Sequence, residues 1–473
     1  MIDNSIFREY DIRGIVESQL NSNCVKLIGY FLGKIIFEKF KESAYVAVGY
    51  DARIHCPKLF SYLASGLNKA NCKVLNMQMV PTGVNYFSNY QTFCINNKEI
   101  NPCASIMITG SHNPKEYNGF KITIDKEPFF SEDLYKLRDK IIANQELQIE
   151  DNDKATIIEV KGLYIDYIVK EFSHLKGMKN AFIVDCGNGA ANSVLFDIIK
   201  KLDLNCKILY GKPDGNFPNH HPDPTIQKNI EDILKEIKSS YDFGFAYDGD
   251  ADRVVLLTKN NIVKGDTMAL LFAKDMKNPT VVGEVKCSQI MYDLINKKGK
   301  AIMYKAGHSN LKLKLKSCNA DFAVEVSGHI FFNDRYFGFD DGIYATFRVL
   351  ELIKNGMNID KEIESFPKTY STEELKIETT DKEKFLLVEK IKELLKNPPS
   401  DFPKIIKTID IDGVRVIFEK GWGLIRASNT TPILVTRFES TDKNLVKEYE
   451  KKLNNLIKVA QNEINITSNK NNR

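Results

Sequence analysis

Three stretches of the sequence share one pattern, a short apolar run that ends in a polar residue and leads into a helical segment. They are AYVAVGYDAR (44–53), NAFIVDCGNGAA (180–191) and NPTVVGEVKCS (278–288). Continuous apolar strands are typical of sheets that helices cover on both faces. A chain of 473 residues has room for three or four domains at roughly 100–200 residues each. The pattern therefore predicts three related α/β domains.

The last part of the chain has a different pattern. The segment from 408 to 440 reads as strands joined by glycine turns, and a helical pattern over 444–464 follows it. Strands followed by a helix, without alternation of the two, are typical of an α+β unit. We therefore expect a fourth, C-terminal domain of the α+β class.

Charge and cysteine usage limit the kinds of partner and compartment. The 66 basic and 62 acidic residues nearly balance, which gives no support for non-specific nucleic-acid binding. Nine cysteines occur without a CxxC pair, as is typical of reduced thiols. The first residues lack the pattern of a signal peptide, and the apolar run at 27–37 is interrupted by Lys34 and too short to span a bilayer. We expect a cytoplasmic protein without a membrane segment.

The segment YDGDADRVV (247–255) places three carboxylates, Asp248, Asp250 and Asp252, at alternate positions. Such spacing brings oxygens to one side of a loop and suits a hard divalent cation. An EF-hand is excluded, because its sixth position is Arg253 and its twelfth is Lys259. Three protein ligands leave coordination positions open. Mg²⁺ with an outside oxygen, such as a phosphate oxygen, therefore fits better than a closed structural Ca²⁺ site. The alternative is an acidic surface turn.

Two further segments contain side chains that suit a phosphate group. RASNTTPILVTRFES (426–440) combines two arginines with hydroxyl and amide side chains, which suits a dianionic phosphate, although an ordinary polar turn has the same composition. ITGSHNPKEYNGFKI (108–122) sets Ser111 in a polar kink between apolar runs. A phosphoserine carries about −1.5 to −2 charge and three acceptor oxygens. One of them would complete the cation site, whereas the alternative is a plain surface serine.

Five motifs in order resemble the α-D-phosphohexomutase superfamily: IFREYDIRG (6–14), TGSHNPKEYNGFK (109–121), DGDADR (248–253), VEVSGH (324–329) and RASNTTP (426–432). The match covers nearly the whole chain, and each motif comes from a different expected domain or junction. The resemblance implies an α/β fold class, with three related α/β mixed-sheet domains and a C-terminal α+β domain around a central cleft. We expect domain 1 at 1–150 with the phosphoserine loop, domain 2 at 151–257 with the metal loop, domain 3 at 258–367 with the sugar loop and domain 4 at 368–473 with the phosphate loop.

The resemblance also implies roles for single residues. Ser111 carries the transferable phosphate, and Asp248, Asp250 and Asp252 hold Mg²⁺ together with a phosphoserine oxygen. Arg253 steadies the phosphoserine or the substrate. The residues implied to bind the sugar are Glu325, Ser327 and Lys286, and those implied to bind the non-reacting phosphate are Arg426, Ser428, Asn429 and Thr430. The residues implied to line the cleft are Tyr10, Arg13, Lys121, His308 and His329, of which Arg13, Lys121 and His329 are candidates for handling the hydroxyl proton.

The implied activity is the interconversion of hexose 6-phosphate and hexose 1-phosphate through phosphoserine and a hexose 1,6-bisphosphate, which also serves as activator. Mannose and glucose phosphates are the expected substrates. In this chain, Val324 and Val326 replace the Gly and Met of the family motif GEMSGH. The preferred sugar therefore stays open, and a phosphoglucosamine mutase is one alternative. A sugar phosphatase that uses Ser111, or a non-catalytic binding protein, are others. We expect a monomer, with a dimer as the alternative, and closure of the cleft by domain 4.

The segment HSNLKLKLKS (308–317) alternates leucine and lysine. A period of two predicts a strand, with a helix as the alternative. In either case the lysines are expected on a solvated face.

Overall fold

A computed structural model describes residues 2–429 and 431–471, with side chains up to Ile464. The described residues form four large sheets with helices packed against them, in the order expected from the sequence. This confirms the predicted fold class. The three strand-to-helix stretches form strands of three different sheets and run into helices.

Domain 1 is built on a seven-stranded mixed sheet in the order β1-β7-β6-β2-β3-β9, with β8 paired to β7. Its elements are β1 (Ile12–Ile15), α1 (Ser22–Phe40), β2 (Tyr45–Tyr50), α2 (Cys56–Lys69), β3 (Lys73–Met79), α3 (Thr82–Ser88), β4 (Phe93–Ile95), β5 (Lys98–Ile100), β6 (Ala104–Ile108), β7 (Tyr117–Ile124), β8 (Glu127–Pro128), α4 (Glu132–Ala143) and β9 (Thr156–Ile157). Strand β2 pairs in parallel with both β3 and β6. The residues of β6 are all buried, as an internal strand between two helical layers requires.

Domain 2 has a five-stranded sheet in the order β11-β10-β12-β13-β14. Its elements are α5 (Val160–Glu171), β10 (Phe182–Asp185), α6 (Asn192–Lys201), β11 (Cys206–Leu209), α7 (Glu231–Ser240), β12 (Phe243–Tyr247), β13 (Val254–Thr258) and β14 (Ile262–Val263). Strands β10, β11 and β12 run in parallel, whereas β13 and β14 form an antiparallel hairpin. The acidic loop joins β12 to β13.

Domain 3 repeats the plan with a four-stranded sheet in the order β16-β15-β17-β18. Its elements are α8 (Gly265–Asp275), β15 (Thr280–Glu284), α9 (Gln289–Asn296), β16 (Lys300–Tyr304), α10 (His308–Ser317), β17 (Phe322–Val324), β18 (Ile330–Phe332), α11 (Gly342–Lys354) and α12 (Ile359–Ser365). Helix α11 begins at a strong cap, because the Asp341 carboxylate accepts from the N–H groups of Ile343 and Tyr344, both at 3.0 Å.

Domain 4 is an antiparallel sheet covered by two helices. Its elements are β19 (Tyr370–Ser371), β20 (Leu375–Glu378), α13 (Glu383–Leu394), β21 (Ile405–Ile409), β22 (Val414–Phe418), β23 (Gly421–Ala427), β24 (Ile433–Ser440) and α14 (Lys443–Asn471). The strand order is β19-β24-β23-β22-β21, with β20 also paired to β24. Single 3-10 turns elsewhere in the chain lie at Asn4–Ile6, Lys41–Ser43, Ser173–Leu175 and Gln227–Ile230.

Several hydrophobic cores occur in the described residues, and none of the larger ones spans both domain 4 and the other domains. One continuous core runs through the first three domains, from Ala47 to Ile359. Domain 4 has its own core between its sheet and its two helices. It meets domain 3 through a small cluster of Val285, Trp422 and Leu424. The first three domains therefore pack as one unit, and domain 4 is attached to it as a separate body.

Helix α10 resolves the ambiguity of the leucine and lysine alternation in favour of the helical alternative. Leu311 and Leu315 are four residues apart on one helix face and are buried, whereas Leu313 is 39% exposed. In a segment with a leucine at every second position, every other leucine lies four residues from the last, which is also the spacing of one helix face. The alternation is therefore compatible with a strand and with a helix. Tertiary packing on Leu311 and Leu315 decides for the helix.

Within the described ranges, no helix combines the length with the apolar character that crossing a bilayer requires.

Candidate active site

Four of the five motifs lie in loops that follow a strand, each in a different sheet. The serine loop follows β6, the acidic loop follows β12, the sugar loop follows β17 and the phosphate loop follows β23. Ligands of α/β sheets bind outside the carboxyl ends of the strands. Hydrogen bonds between domains join these loops, so the four domains contribute one loop each to a shared site.

Ser111 lies in a strained turn against the acidic loop. Its φ is 48°, in the left-handed region that a residue with a side chain rarely adopts. The Ser111 N–H donates to Thr109 Oγ1 at 2.7 Å, and Ser111 Oγ donates to Asp248 Oδ2 at 2.8 Å. The Nδ1 atom of His112 lies 3.2 Å from the same Oγ. The turn thus aims the hydroxyl at the first of the three carboxylates.

The three aspartates form a buried site that suits a cation. Asp248, Asp250 and Asp252 are fully buried, and one oxygen from each lies within 4.8 Å of the others. The Oδ1 atoms of Asp250 and Asp252 have no hydrogen-bond partner. Burial, together with the charges of Asp250 and Asp252, raises the pKa of the Asp248 carboxyl. Unpartnered buried oxygens and mutual repulsion are what a bound divalent cation would relieve, so the residues fit a metal.

Lys121 is a fixed counter-charge for this cluster. Its Nζ pairs with Asp250 Oδ2 at 2.7 Å and also with Asp252. Burial alone would lower the pKa of Lys121, but the carboxylates of Asp250 and Asp252 outweigh it and the pKa is raised. The ammonium is therefore fully charged at neutral pH, which suits binding an anion better than accepting a proton.

His329 lies between Arg253 and Asp340. Its Nε2 accepts from Arg253 Nε at 2.9 Å, and its Nδ1 lies 2.9 Å from Asp340 Oδ2. A proton on Nδ1 suits the carboxylate and leaves the Nε2 lone pair to accept from Arg253. Lys312 Nζ is 2.7 Å from Asp340 Oδ1, so the carboxylate is itself neutralised. The imidazole therefore lies between a guanidinium and a carboxylate that is paired with a lysine.

Lys312 and Asp340 were missed by the sequence reasoning. Lys312 was expected on a solvated face, and this was wrong: its side chain is only 11% exposed and lies over the Tyr86 ring at 3.7 Å. The one available signal was the lysine's position on the buried Leu311 face of α10, which required knowing that the segment is a helix.

The sugar loop is held from behind by hydrogen bonds. Glu325 Oε1 accepts from the Gly307 N–H at 2.6 Å, and Ser327 Oγ donates weakly to Glu325 Oε2 at 3.4 Å. Lys286 Nζ lies 2.7 Å from Glu374 Oε1, across the junction with domain 4. These contacts fix the Glu325 carboxylate against domain 3 and the Lys286 ammonium against domain 4.

The phosphate loop faces the cleft from domain 4. Arg426 Nε donates to Asp412 Oδ2 at 3.1 Å, which fixes the guanidinium, and Asn429 Nδ2 donates to Tyr10 Oη at 2.7 Å. The Ser428 hydroxyl lies 2.8 Å from that of Thr431. Thr430, also expected here, lies outside the described residues.

The remaining expected residues connect the loops. Tyr10 Oη also donates to the Ala306 carbonyl at 2.9 Å, so this side chain touches domains 3 and 4 together. Arg13 Nη1 donates to Asn113 Oδ1 at 3.0 Å, beside the serine turn. The ring of His308 packs edge-on to Tyr10 at 6.1 Å. Burial and the charge of Lys312 lower the pKa of His308, which keeps it neutral.

Two arginines of domain 4 hold the backbone around Lys286. Arg415 Nη1 donates to the carbonyls of Val285 at 2.5 Å and Cys287 at 2.8 Å. Arg437 Nη1 donates to the carbonyl of Lys286 itself at 2.9 Å. Three successive carbonyls of domain 3 are therefore bound by domain 4.

Glu284 gives a pH-dependent prediction for this region. Its Oε1 accepts from the Val326 N–H at 2.9 Å, and burial raises its pKa from 4.5 to about 7. Because the folded carboxyl holds its proton more tightly than the unfolded one, its contribution to stability is full below about pH 4.5 and is lost as the pH rises through about 7. We expect Glu284→Gln to match the wild type in free energy of unfolding near pH 5 and to exceed it near pH 8.

Urea denaturation at both pH values measures this difference. The exposed residue Glu389 supplies the control, since Glu389→Gln is expected to give the same small change at both. A Glu284→Gln variant that loses stability as the pH rises, relative to the wild type, would contradict the prediction.

Comparisons with known proteins agree with the geometry. Four models of phosphoglucomutase/phosphomannomutase domains match: α/β/α domain I at 4–148, domain II at 163–262, domain III at 264–370 and the C-terminal domain at 374–456. A phosphomannomutase/phosphoglucomutase of Pseudomonas syringae is 38% identical, with 93% of this chain and 92% of that protein covered. A phosphoglucomutase of Neisseria gonorrhoeae is 36% identical, with 96% and 97% covered.

Among solved structures, a phosphoglucomutase/phosphomannomutase family protein from Burkholderia thailandensis superposes with a TM-score of 0.88 at 32% identity, covering 98% of both chains. The four domain matches, these relatives and the shared cleft agree on one conclusion. The chain belongs to the phosphoglucomutase/phosphomannomutase family.

Proposed function

We propose that this protein is a phosphohexomutase that interconverts hexose 6-phosphate and hexose 1-phosphate, with Ser111 as the phosphate carrier. The observation that carries the proposal is the 2.8 Å hydrogen bond from Ser111 Oγ to Asp248, at the edge of a buried three-aspartate cluster. A serine in that position can hold a phosphoryl group only beside positive charge. The ammonium of Lys121 pairs with the cluster, and Arg253, whose backbone N–H donates to Asp248, places its guanidinium beside it on His329.

We also propose that Asp248, Asp250 and Asp252 hold Mg²⁺. Carboxylate oxygens are the ligands that this ion prefers, and an incomplete protein ligand set leaves room for a phosphate oxygen. When bound, the ion would supply charge stabilisation for the transferring phosphoryl group. Lys121 stays charged beside the same carboxylates and offers a second cation to the phosphate.

In the proposed reaction, the free hydroxyl of the hexose monophosphate attacks the phosphorus of phosphorylated Ser111. The new phosphorus–oxygen bond forms at the sugar, and Ser111 Oγ leaves with the electron pair of the broken bond. The hydroxyl proton passes to His329 Nε2, once the sugar replaces Arg253 there. The product is a hexose 1,6-bisphosphate, which turns around so that its other phosphate returns to Ser111 with these movements reversed.

The assignment of the proton to His329 rests on the neighbouring groups. Arg13 and Lys121 were the other candidates, and the pKa of Lys121 is raised, so it holds its proton. Arg13 pairs with Asp11 and Asn113, and a guanidinium has no acceptor for a proton. His329 alone of the three has a lone pair, with Asp340 behind it to stabilise the imidazolium that forms.

The sugar and the non-reacting phosphate are proposed to bind to different domains, the sugar to domain 3 and the phosphate to domain 4. Glu325, Ser327 and Lys286 are proposed to bind ring hydroxyls, and Arg426, Ser428, Asn429 and Thr430 to bind the non-reacting phosphate, with Tyr10 and His308 between them. Val324 and Val326 are buried in the core behind the loop, so their difference from the family motif changes packing rather than the sugar-facing surface. The names of the relatives favour mannose and glucose over glucosamine.

A side-by-side rate measurement tests this function. The protein is incubated with Mg²⁺, a trace of hexose 1,6-bisphosphate, and the 1-phosphate of mannose, glucose or glucosamine. We expect 6-phosphate from mannose and glucose at comparable rates, and at least about 10-fold less from glucosamine, because small pocket differences are worth roughly 1–3 kcal/mol. Release of inorganic phosphate without 6-phosphate would instead identify a phosphatase. A cytoplasmic location and a monomeric state stay predictions.

A further inference from the structure

Arg53 is a buried arginine that the proposed reaction does not use. It ends the stretch AYVAVGYDAR, and its side chain is fully enclosed. Its Nη1 donates to the carbonyls of Pro114 at 2.7 Å and Tyr117 at 3.0 Å, and its Nη2 donates to those of Ser111 at 2.9 Å and Asn113 at 2.6 Å. Four carbonyls of one loop are therefore bound by one guanidinium.

The fifth N–H of the guanidinium meets Asp51, which holds the other side of the same turn. Arg53 Nε lies 3.3 Å from Asp51 Oδ2. The same oxygen accepts from Thr109 Oγ1 at 2.7 Å and from the Gly110 N–H at 3.2 Å. Because Thr109 Oγ1 in turn accepts from the Ser111 N–H, the pair fixes Ser111 through both its N–H and its carbonyl.

The guanidinium is enclosed by two domains. A Cβ at Gly110 would lie 2.3 Å from Arg53 Cζ, so only glycine permits this approach. On the domain 2 side, the Phe217 ring covers the guanidinium at 5.1 Å, and a Cβ at Gly215 would lie 2.6 Å from Arg53 Cα. Water is thus excluded from the bonds that hold the turn, which makes each of them harder to replace.

We propose that Arg53 is a positioning residue that imposes the left-handed conformation of Ser111 and thereby sets the direction of Oγ. The inference rests on the proposed role of Ser111 as carrier. A φ of 48° is unfavourable for serine and persists only when the surroundings enforce it. Five N–H donors in a rigid plane do so for a loop of carbonyls, whereas an ammonium with three donors cannot.

The consequence is a specific kinetic signature. Arg53 contacts the loop and not the sugar side of the cleft, so its loss misaligns the phosphate carrier and leaves sugar binding intact. We expect Arg53→Lys to lower kcat about 100-fold, the effect of a displacement of roughly 1 Å at a reacting group. The KM for glucose 1-phosphate is expected to stay within about twofold of the wild type.

The experiment measures kcat, KM and the rate at which hexose 1,6-bisphosphate phosphorylates Ser111, read by intact mass. The matched control is Arg348→Lys, a buried arginine of domain 3 that pairs with Asp334 at 2.8 Å and stacks on Phe332. It is expected to lose stability but keep the wild-type kcat. Equal losses of kcat in both variants would show that Arg53 acts only through general stability and would overturn the proposal.

If Arg53→Lys does not fold, the variant Thr109→Val tests the positioning role instead. This variant keeps the shape of Thr109 but removes the oxygen between Asp51 and the Ser111 N–H, and a kcat about 10-fold lower with unchanged KM is expected. A wild-type kcat in Thr109→Val would reject the proposal. Failure of the carrier role itself is distinguishable, because then the wild-type protein would not acquire phosphate on Ser111 at all.

Discussion

Ser111→Ala is expected to lower kcat by about 10⁴–10⁶-fold, the range seen when a nucleophile is removed. No other hydroxyl donates to the acidic cluster from the serine turn, and Ser111 Oγ is already 2.8 Å from Asp248. Alanine removes the atom that carries the phosphate, and the proposed reaction has no route without it. Turnover of glucose 1-phosphate, primed by the bisphosphate, measures the loss.

A second buried serine supplies the control for this variant. Ser105 lies on β6 and its Oγ accepts from Asn89 at 2.7 Å, away from the acidic cluster. Ser105→Ala is expected to keep kcat within about threefold, since it costs one buried hydrogen bond. Near-normal turnover by Ser111→Ala would refute the carrier assignment. Intact mass after incubation with bisphosphate gives an independent measurement, because only the wild type and Ser105→Ala should gain a phosphate.

Asp250→Asn is expected to raise the Mg²⁺ concentration for half-maximal activity about 10-fold or more and to lower kcat about 10²–10³-fold. Asparagine keeps the shape of the side chain but removes one of the three charges that would hold the cation. It also weakens the binding of Lys121, whose Nζ bonds the same carboxylate at 2.7 Å and keeps only Asp252 as a charged partner. Affinity for the metal and stabilisation of the transferring phosphoryl group should therefore fall together.

Thr82→Val is the control that removes a hydrogen bond to Asp250 without removing a charge. The Thr82 hydroxyl donates to Asp250 Oδ2 at 2.6 Å, so valine removes a hydrogen bond while all three carboxylates remain. We expect a shift of the Mg²⁺ titration of less than about threefold in this variant. An unchanged titration in Asp250→Asn, or an equal shift in both variants, would count against a metal site on these aspartates.

The order of the elements could be predicted from the sequence because local patterns encode it. The apolar runs before Asp51, Asp185 and Glu284 form buried strands, as continuous apolar character indicates. The five motifs also indicated which loops meet, since Ser111 and Asp248 are in contact although 137 residues separate them. A motif match across the whole chain carries this long-range information, whereas periodicity does not.

The pairing of charges inside the site could not be predicted in the same way. Lys312 looked like one lysine among several on a solvated face, yet it neutralises Asp340 behind His329. Arg53 looked like the polar end of a strand, yet it binds four carbonyls of a loop some 60 residues later. Such partners are chosen by tertiary packing, because a buried charge must find its counter-charge or acceptors wherever the fold brings them.

The clasp of Arg415 and Arg437 on the carbonyls of Val285, Lys286 and Cys287 has a mechanical consequence. If domain 4 moves while these hydrogen bonds persist, the backbone of Lys286 keeps its position relative to domain 4, and so does the pair that Lys286 Nζ forms with Glu374.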